Sequence, residues 1–451
     1  MSPDPPPKRP GLVPFAEALR FWLKLGVVSF GGPAGQIAIM HAELVERRRW
    51  IGERRFLHAL NYCMLLPGPE AQQLATYLGW LLHRTWGGIV AGVLFVLPSL
   101  LLMLLLSWVY VAFGDAPLVA GLFYGIEPAV TAIVLHATRR IGKRVLTNGT
   151  LWAIATAAFV AIFALKVPFP AIVAAAAAIG WWGGRVAPRR FAAGGAHAGA
   201  KASYGPPLID DDTPPLPHTR FDRGHLAPVL AAGAVLWALP IALLAAWHGW
   251  NGTLTQMGWF FTKAALLTFG GAYAVLPYVY QGAVVHFGWL TPTQMIDGLA
   301  LGETTPGPLI MVVAFVGFVG AWQSPELLAL FGAEHRAAAA VLGATLVTWF
   351  TFLPSFVFIL AGAPFVESTH GRLGFTAPLT AITAAVVGVI VNLALFFAAH
   401  VLWPQGFGGA FDAVAAAIAV AAAIALWRFD RGVIEVLLAC AAAGLAVHLL
   451  R

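Results

Sequence analysis

Charge is what this sequence lacks most. Asp, Glu, Lys and Arg make up 10% of its 451 residues, where an ordinary soluble domain carries about 25%, so a normal water-facing surface is excluded. Cysteine is nearly absent: Cys63 and Cys440 lie in apolar stretches, follow no metal-ligand spacing and imply no disulfide. No H-E-x-x-H, G-x-S-x-G or paired Asp-rich motif occurs, and His41, His58, His83 and His136 are scattered. No catalytic residue, metal centre or cofactor is therefore implied. The opening MSPDPPPKRP lacks a signal-peptide pattern and reads as a cytoplasmic tail.

What is there belongs in a bilayer. Apolar stretches that can cross about 30 Å of hydrocarbon run over 86–112, 117–137, 151–167, 169–182, 226–248, 337–363, 376–400, 411–427 and 433–449, the shortest being marginal. The formal charge of +7 resides in short loops between them, where topology accounts for it, so no nucleic-acid partner is expected.

Helix breakers interrupt this apolar chain in a doubled pattern. SFGGP at 29–33 and LPGPE at 66–70 return as TFGGA at 268–272 and TPGPL at 305–309. Gly270 follows Gly31 by 239 residues, as Gly307 follows Gly68, and the same shift pairs Lys24 with Lys263 and Trp50 with Trp289. Leu97-Pro98-Ser99 pairs with Leu353-Pro354-Ser355 at 256, so an insertion of 17 residues near 322–338 separates the two registers. Between the copies lies a Gly-, Pro- and charge-rich stretch that reads as a solvated linker, its Asp210-Asp211-Asp212 run included.

Loop charge sets the expected orientation. Arg47, Arg48, Arg49, Arg54 and Arg55 follow the first break, and Arg139, Arg140, Lys143 and Arg144 follow the 117–137 segment, so both loops read as cytoplasmic. Their second-half equivalents, QGAVVHFGWLTPTQ and VLWPQGFGG, hold no Lys or Arg and read as periplasmic. The expected architecture is thus an all-α polytopic membrane protein of two inverted-topology repeats. Its divisions are a tail at 1–13, a membrane repeat at 14–184, a cytoplasmic linker at 185–225, a connecting helix at 226–253 and an inverted repeat at 254–451, with the C-terminus periplasmic. Parity makes 14–43, 56–82, 254–283 and 293–322 re-entrant hairpins, each arm about 20 Å long at 1.5 Å per residue; tilted full spans are the alternative.

Broken helices at membrane depth survive only beside protein or water, and a helix start offers free N–H donors and partial positive charge to an anion. The candidate site is therefore the four tips: Ser29, Phe30, Gly31 and Gly32; Pro67, Gly68 and Pro69; Thr268, Phe269, Gly270 and Gly271; Pro306, Gly307 and Pro308. Lys24 and Lys263 either neutralise a dianion there or snorkel to the interface. Gln72, Gln73, Thr304 and Thr305 are candidate donors, although Ser and Thr in helices also bond their own backbone. Glu70 and Glu303 either carry protons or cap and pair. Glu127 and Asn392, in unbroken spans, read as polar contacts inside the bundle.

FGGPAGQIAIMHAELVERRRW, LPGPEAQQLATYLGW and FVLPS, then TFGGAYAVLPYV, GETTPGPLIMVVAFVGF and FLPSF, resemble the long-chain, two-domain form of the chromate ion transporter family. That resemblance implies a bacterial inner-membrane secondary transporter exporting chromate and conferring resistance, with sulfate or another small anion as the alternative cargo. The halves differ in detail, since Met64 faces Glu303 and Glu70 faces Leu309, so an asymmetric site is expected. Oligomeric state stays open, a homodimer included.

Overall fold

The computed structural model describes residues 11–30, 32–114, 116–191, 205–210, 216–219, 223–369 and 376–450. Within them the chain is almost wholly helical, as an apolar chain must be when no water is present to satisfy its backbone. Seven helices among the described residues are long and apolar enough to cross a membrane. The protein is an all-α, multi-pass membrane protein.

The first half opens with α1 (Phe15–Val28) and α2 (Gly32–His41), broken at the FGG motif, then α3 (Glu53–Leu65) and α4 (Glu70–Phe113), broken at PGP. In each pair the chain on one side of the break contacts the chain on the other. Arg48, just beyond α2, bonds Glu17 near the start of α1 at 2.9 Å, and the rings of Tyr62 on α3 and Tyr77 on α4 lie 6.1 Å apart. α4 itself folds back once more at His83 and Arg84, the latter at φ 57°, which brings Gly79 against Ala91 and Gly87. Three long or medium helices follow: α5 (Pro117–Val145), α6 (Gly149–Phe163) and α7 (Phe169–Val186). Then α8 (Arg223–His248) leads into the second half.

There the pattern recurs: α9 (Thr253–Leu266) and α10 (Ala272–Tyr280) flank FGG, while α11 (Pro292–Thr304) and α12 (Val312–Trp322) flank PGP. Equivalent residues make equivalent contacts. Phe21 and Trp50 stand edge to face at 5.8 Å, and Phe260 and Trp289, each 239 residues later, do so at 5.7 Å. A π turn at Ala42–Arg47 has its counterpart at Gln281–His286. The inserted 17 residues form α13 (Pro325–Phe331) and a 3₁₀ turn, placed where the first half turns at His83 and Arg84. Insertions are accommodated most readily at such connections.

The remaining helices are α14 (Arg336–Thr369), α15 (Thr376–Leu402), α16 (Ala413–Arg428) and α17 (Val433–Leu450). They interlock with the first half: α16 and α17 pack on α5, and α6 and α7 pack on α15. Gly125 meets Gly444 and the Cys440 carbonyl at the α5 and α17 crossing, a close approach that small residues permit in membranes. α6 and α16, with 15 and 16 residues, fall short of a full crossing. Asp412 starts α16 by accepting from Val414 and Ala415 N–H at 3.0 and 2.9 Å.

One expectation changes. Although much of the linker, with Asp211 and Asp212, lies outside the described residues, part of it docks. Leu208 N–H bonds the Arg49 carbonyl, Ile209 N–H the Trp50 carbonyl and Gly52 N–H the Ile209 carbonyl, at 2.9, 3.1 and 2.8 Å. Buried Ile51 and Ile209 make this short pairing apolar enough to hold against solvation.

Candidate site at the broken helix tips

The tips meet across the two halves by a reciprocal exchange. Gly68 N–H donates to the Thr268 carbonyl at 2.7 Å, and Gly307 N–H donates to the Ser29 carbonyl at 2.8 Å. Each bond joins the PGP of one half to the FGG of the other, at positions 239 residues apart. Gly68 and Gly307 take φ of 125° and 103°, which a side chain resists. Gly68 also packs against Ser355 and Gly307 against Ser99, again equivalent serines, each from the opposite half. Within each half the tips are adjacent as well, since α2 packs on α4 and α10 on the turn at Leu309–Met311.

Four helix starts are thus gathered, with the prolines one position earlier than the first turn. Pro69 precedes α4 and Pro308 precedes the turn at Leu309–Met311. The first helical bond of α4 is Gln73 N–H to the Pro69 carbonyl at 3.0 Å, so the N–H groups of Glu70, Ala71 and Gln72 lead into open helix start. Gly32 and Gly271 have no atom within 4 Å of where a side chain would stand, and Phe30 is exposed. Gly31 lies outside the described residues. Gly32, Phe269, Gly270 and Gly271 are half-buried, whereas Gly68, Pro69, Pro306, Gly307 and Pro308 are buried.

Most of the expected side-chain donors are already engaged. Ser29 Oγ donates to the Leu25 carbonyl at 2.5 Å and Thr268 Oγ1 to that of Ala264 at 2.7 Å. Thr304 and Thr305 donate to the carbonyls of Leu301 and Gly302 at 2.9 and 3.1 Å. These hydroxyls bond carbonyls of their own helix ends, the alternative that the sequence left open. Gln72 donates to Thr76 at 3.0 Å; Gln73 donates to the Pro67 carbonyl at 2.8 Å and to Ser355 at 3.2 Å. Their role is to hold the breaks in shape.

Among the described residues neither Lys24 nor Lys263 makes a hydrogen bond or ion pair with a tip residue. Lys24 is exposed on the side of α1 opposite buried Phe21, Trp22 and Leu25, and Lys263 lies 5.8 Å from the Trp259 ring on the exposed stripe of α9. Glu303 is adjacent, accepting from the Tyr273 hydroxyl on the first turn of α10. Half-buried Glu70 begins α4.

Sequence reasoning missed four residues here. Gln36, buried on α2, reaches across to the Gly307 carbonyl at 2.5 Å and the Ser29 carbonyl at 3.3 Å, bracing one junction. Its equivalent is Val275, so no repeat signal marked it. Thr383 of α15 packs where a side chain at Gly270 would stand, 3.0 Å from it. Arg140 acts electrostatically on Glu303 and Tyr273, and Arg144 on Glu70. The sequence placed both arginines in a loop; α5 continues to Val145, so both stand exposed on its last turns. Among the described residues the oxygens Gln36 Oε1, Gln72 Oε1, Gln73 Oε1 and Ser99 Oγ are buried without hydrogen-bond partners in the protein.

A family model described as chromate transporter matches residues 16–181 and 255–445, the two halves without the linker. The chain belongs to this family. A chromate transport protein of Cupriavidus metallidurans is 30% identical over 383 residues, covering 85% of this chain and 82% of that one. A chromate transport protein of Pseudomonas aeruginosa is 34% identical over 393 residues, 86% of this chain and 80% of that one. A probable chromate transport protein of Synechococcus elongatus is 29% identical over 383 residues, with 84% of each covered. No solved structure matches. The family is one of membrane transporters, and both of its matched segments contain an FGG and a PGP tip.

Proposed function

We propose that this chain is a secondary transporter that carries chromate out of the cytoplasm across the bacterial inner membrane and so confers resistance. The observation that carries the reading is the reciprocal pair of bonds, Gly68 to Thr268 and Gly307 to Ser29, which gathers four helix starts from two halves. Helix starts in a dry-walled site suit a doubly charged oxyanion, and a pair of half-sites held by different halves can open alternately to each side. Names of the relatives that match over most of the chain support chromate as the cargo.

In this reading the halves are inverted repeats and the hairpins are re-entrant, with the tail and the arginine-rich turn at 47–55 cytoplasmic and the C-terminus periplasmic. The meeting of tips supports it. Arg140 and Arg144 then draw the anion toward the tips from the cytoplasmic side, and Lys24 and Lys263 add to the field without touching it. Purified protein in liposomes tests this: labelled chromate enters against a tenfold excess of chloride, about tenfold less in Gly307→Ala. Absence of chromate flux in either direction ends the reading, and flux abolished by equimolar sulfate makes sulfate the cargo.

A further inference from the structure

A second polar site lies away from the tips, between α11, α5 and α4. Asp297 on α11 is 3% exposed. Its Oδ2 accepts from the Tyr110 hydroxyl at 2.7 Å, while Oδ1 has no hydrogen-bond partner among the described residues. Glu127 of α5 acts electrostatically on it and lines a cavity of about 210 Å³ with Tyr124, Thr293, His400 and Asp412. Thr293 is one turn before Asp297 on α11, so the cavity and the buried carboxyl are one helical turn apart on the same helix. An orphaned carboxylate oxygen in a dry interior is expensive, and two neighbouring carboxylates cannot both stay ionised there.

The fold does not require this chemistry. At the equivalent junction of the other half, His58 stands for Asp297, Val366 for Tyr110 and Thr383 for Glu127, with His58 bonded to the Val366 carbonyl at 3.3 Å. Acids thus stand in one half where the aligned positions of the other half carry none. A metal ion does not account for them, because no group of three His, Cys, Asp or Glu among the described residues could hold one.

We propose that Asp297 and Glu127 form a proton-binding site, loaded from the cavity at His400 and Asp412, whose occupancy is coupled to anion movement at the tips. One proton passes from water in the cavity to Glu127 and then fills the vacant oxygen of Asp297. α11 is the connection: Asp297 lies under two turns from Glu303, which Tyr273 of the FGG helix binds, so protonation at one end of a rigid arm bears on the tip at the other. Other charged groups facing this region are few. α4 brings Tyr110 and α15 brings His400; Asp412, ahead of α16, is bonded by Tyr124 at 2.9 Å; α12 brings none; α17 brings Glu435 and His448, the latter against Gly121.

The inference rests on the transport reading, and its test separates the two. Full-length protein is compared with Asp297→Asn and Glu127→Gln in liposomes. Infrared titration of the wild type shows a protonated-carboxyl band at neutral pH that Asp297→Asn removes. A pH gradient drives chromate accumulation in the wild type, and in Asp297→Asn accumulation falls to the level of empty vesicles while chromate counterflow at equal pH persists. An unchanged band in the variant, gradient-driven accumulation that survives, or loss of counterflow along with it overturns the proton site. If the wild type moves no chromate in either assay, the transport reading fails, and the infrared titration alone decides the proton site.

Discussion

Gly68 gives its N–H to the carbonyl of Thr268 at 2.7 Å, a residue 200 positions away in the other half of the chain. The mirror bond from Gly307 to Ser29 makes the centre of this protein a double clasp in which neither half can place its tip alone. Local breaks and long-range pairing thus depend on each other.

Gly68→Ala and Gly307→Ala should each destabilise the protein. The positive φ costs about 1–3 kcal/mol, and at Gly307 the added carbon would stand 2.7 Å from Ser99 Cβ, which adds overpacking of similar size. Thermal unfolding in detergent reads the loss, and Ser99→Gly should return part of it in Gly307→Ala. No rescue would mean that strain alone accounts for the effect.

Charge near the tips should matter by position. Lys24→Gln with Lys263→Gln is expected to change chromate KM by less than about threefold, whereas Arg140→Gln with Arg144→Gln raises it by about tenfold or more, an effect that fades as salt rises. Vesicle uptake over a salt series gives both values. A larger effect from the lysine pair would move them into the site.

Arg55 and Glu367 form a buried ion pair, with Arg55 also bonding the Asp210 carbonyl at 3.0 Å and Tyr77 bonding Glu367 at 2.5 Å. Arg55→Met should lower stability by about 3–5 kcal/mol by stranding the carboxylate. Adding Glu367→Gln should recover a substantial part of it. A double-mutant cycle on unfolding midpoints checks the coupling, and strictly additive losses would refute it.

Acid should loosen the open end of the first hairpin. Burial works to raise the Glu43 carboxyl, but hydrogen bonds and charges from Arg47 and Arg48 outweigh it and hold it below its usual range. A lowered folded-state value contributes stability above the ordinary carboxylate range and loses it as pH falls through the lowered value. Replacing both arginines by Ala should move the acid-unfolding midpoint to higher pH, read by circular dichroism. An unmoved midpoint would show that the group does not contribute.

Much of the site was legible because glycine and proline act locally. FGG and PGP mark breaks through their own backbone limits, and the constant offset of 239 showed that there are two sets. Side-chain roles were less legible. Ser29, Thr268, Thr304 and Thr305 look like ligand donors in one dimension, yet each bonds a carbonyl three or four residues back. Gln36 and Asp297 stood outside the motifs, and hydrogen bonds across 271 and 187 residues give them their importance.

The sequence by itself determined the bilayer as solvent, the helical class, the duplication and the four breaks, because composition, period and backbone restriction reside in neighbouring residues. Only the tertiary structure decided which tips meet, which donors are already bound, that part of the linker docks at Trp50, and that one carboxyl oxygen of Asp297 is left vacant. Those outcomes depend on how two interlocked halves pack against each other, and no stretch of chain read alone contains both sides of that contact.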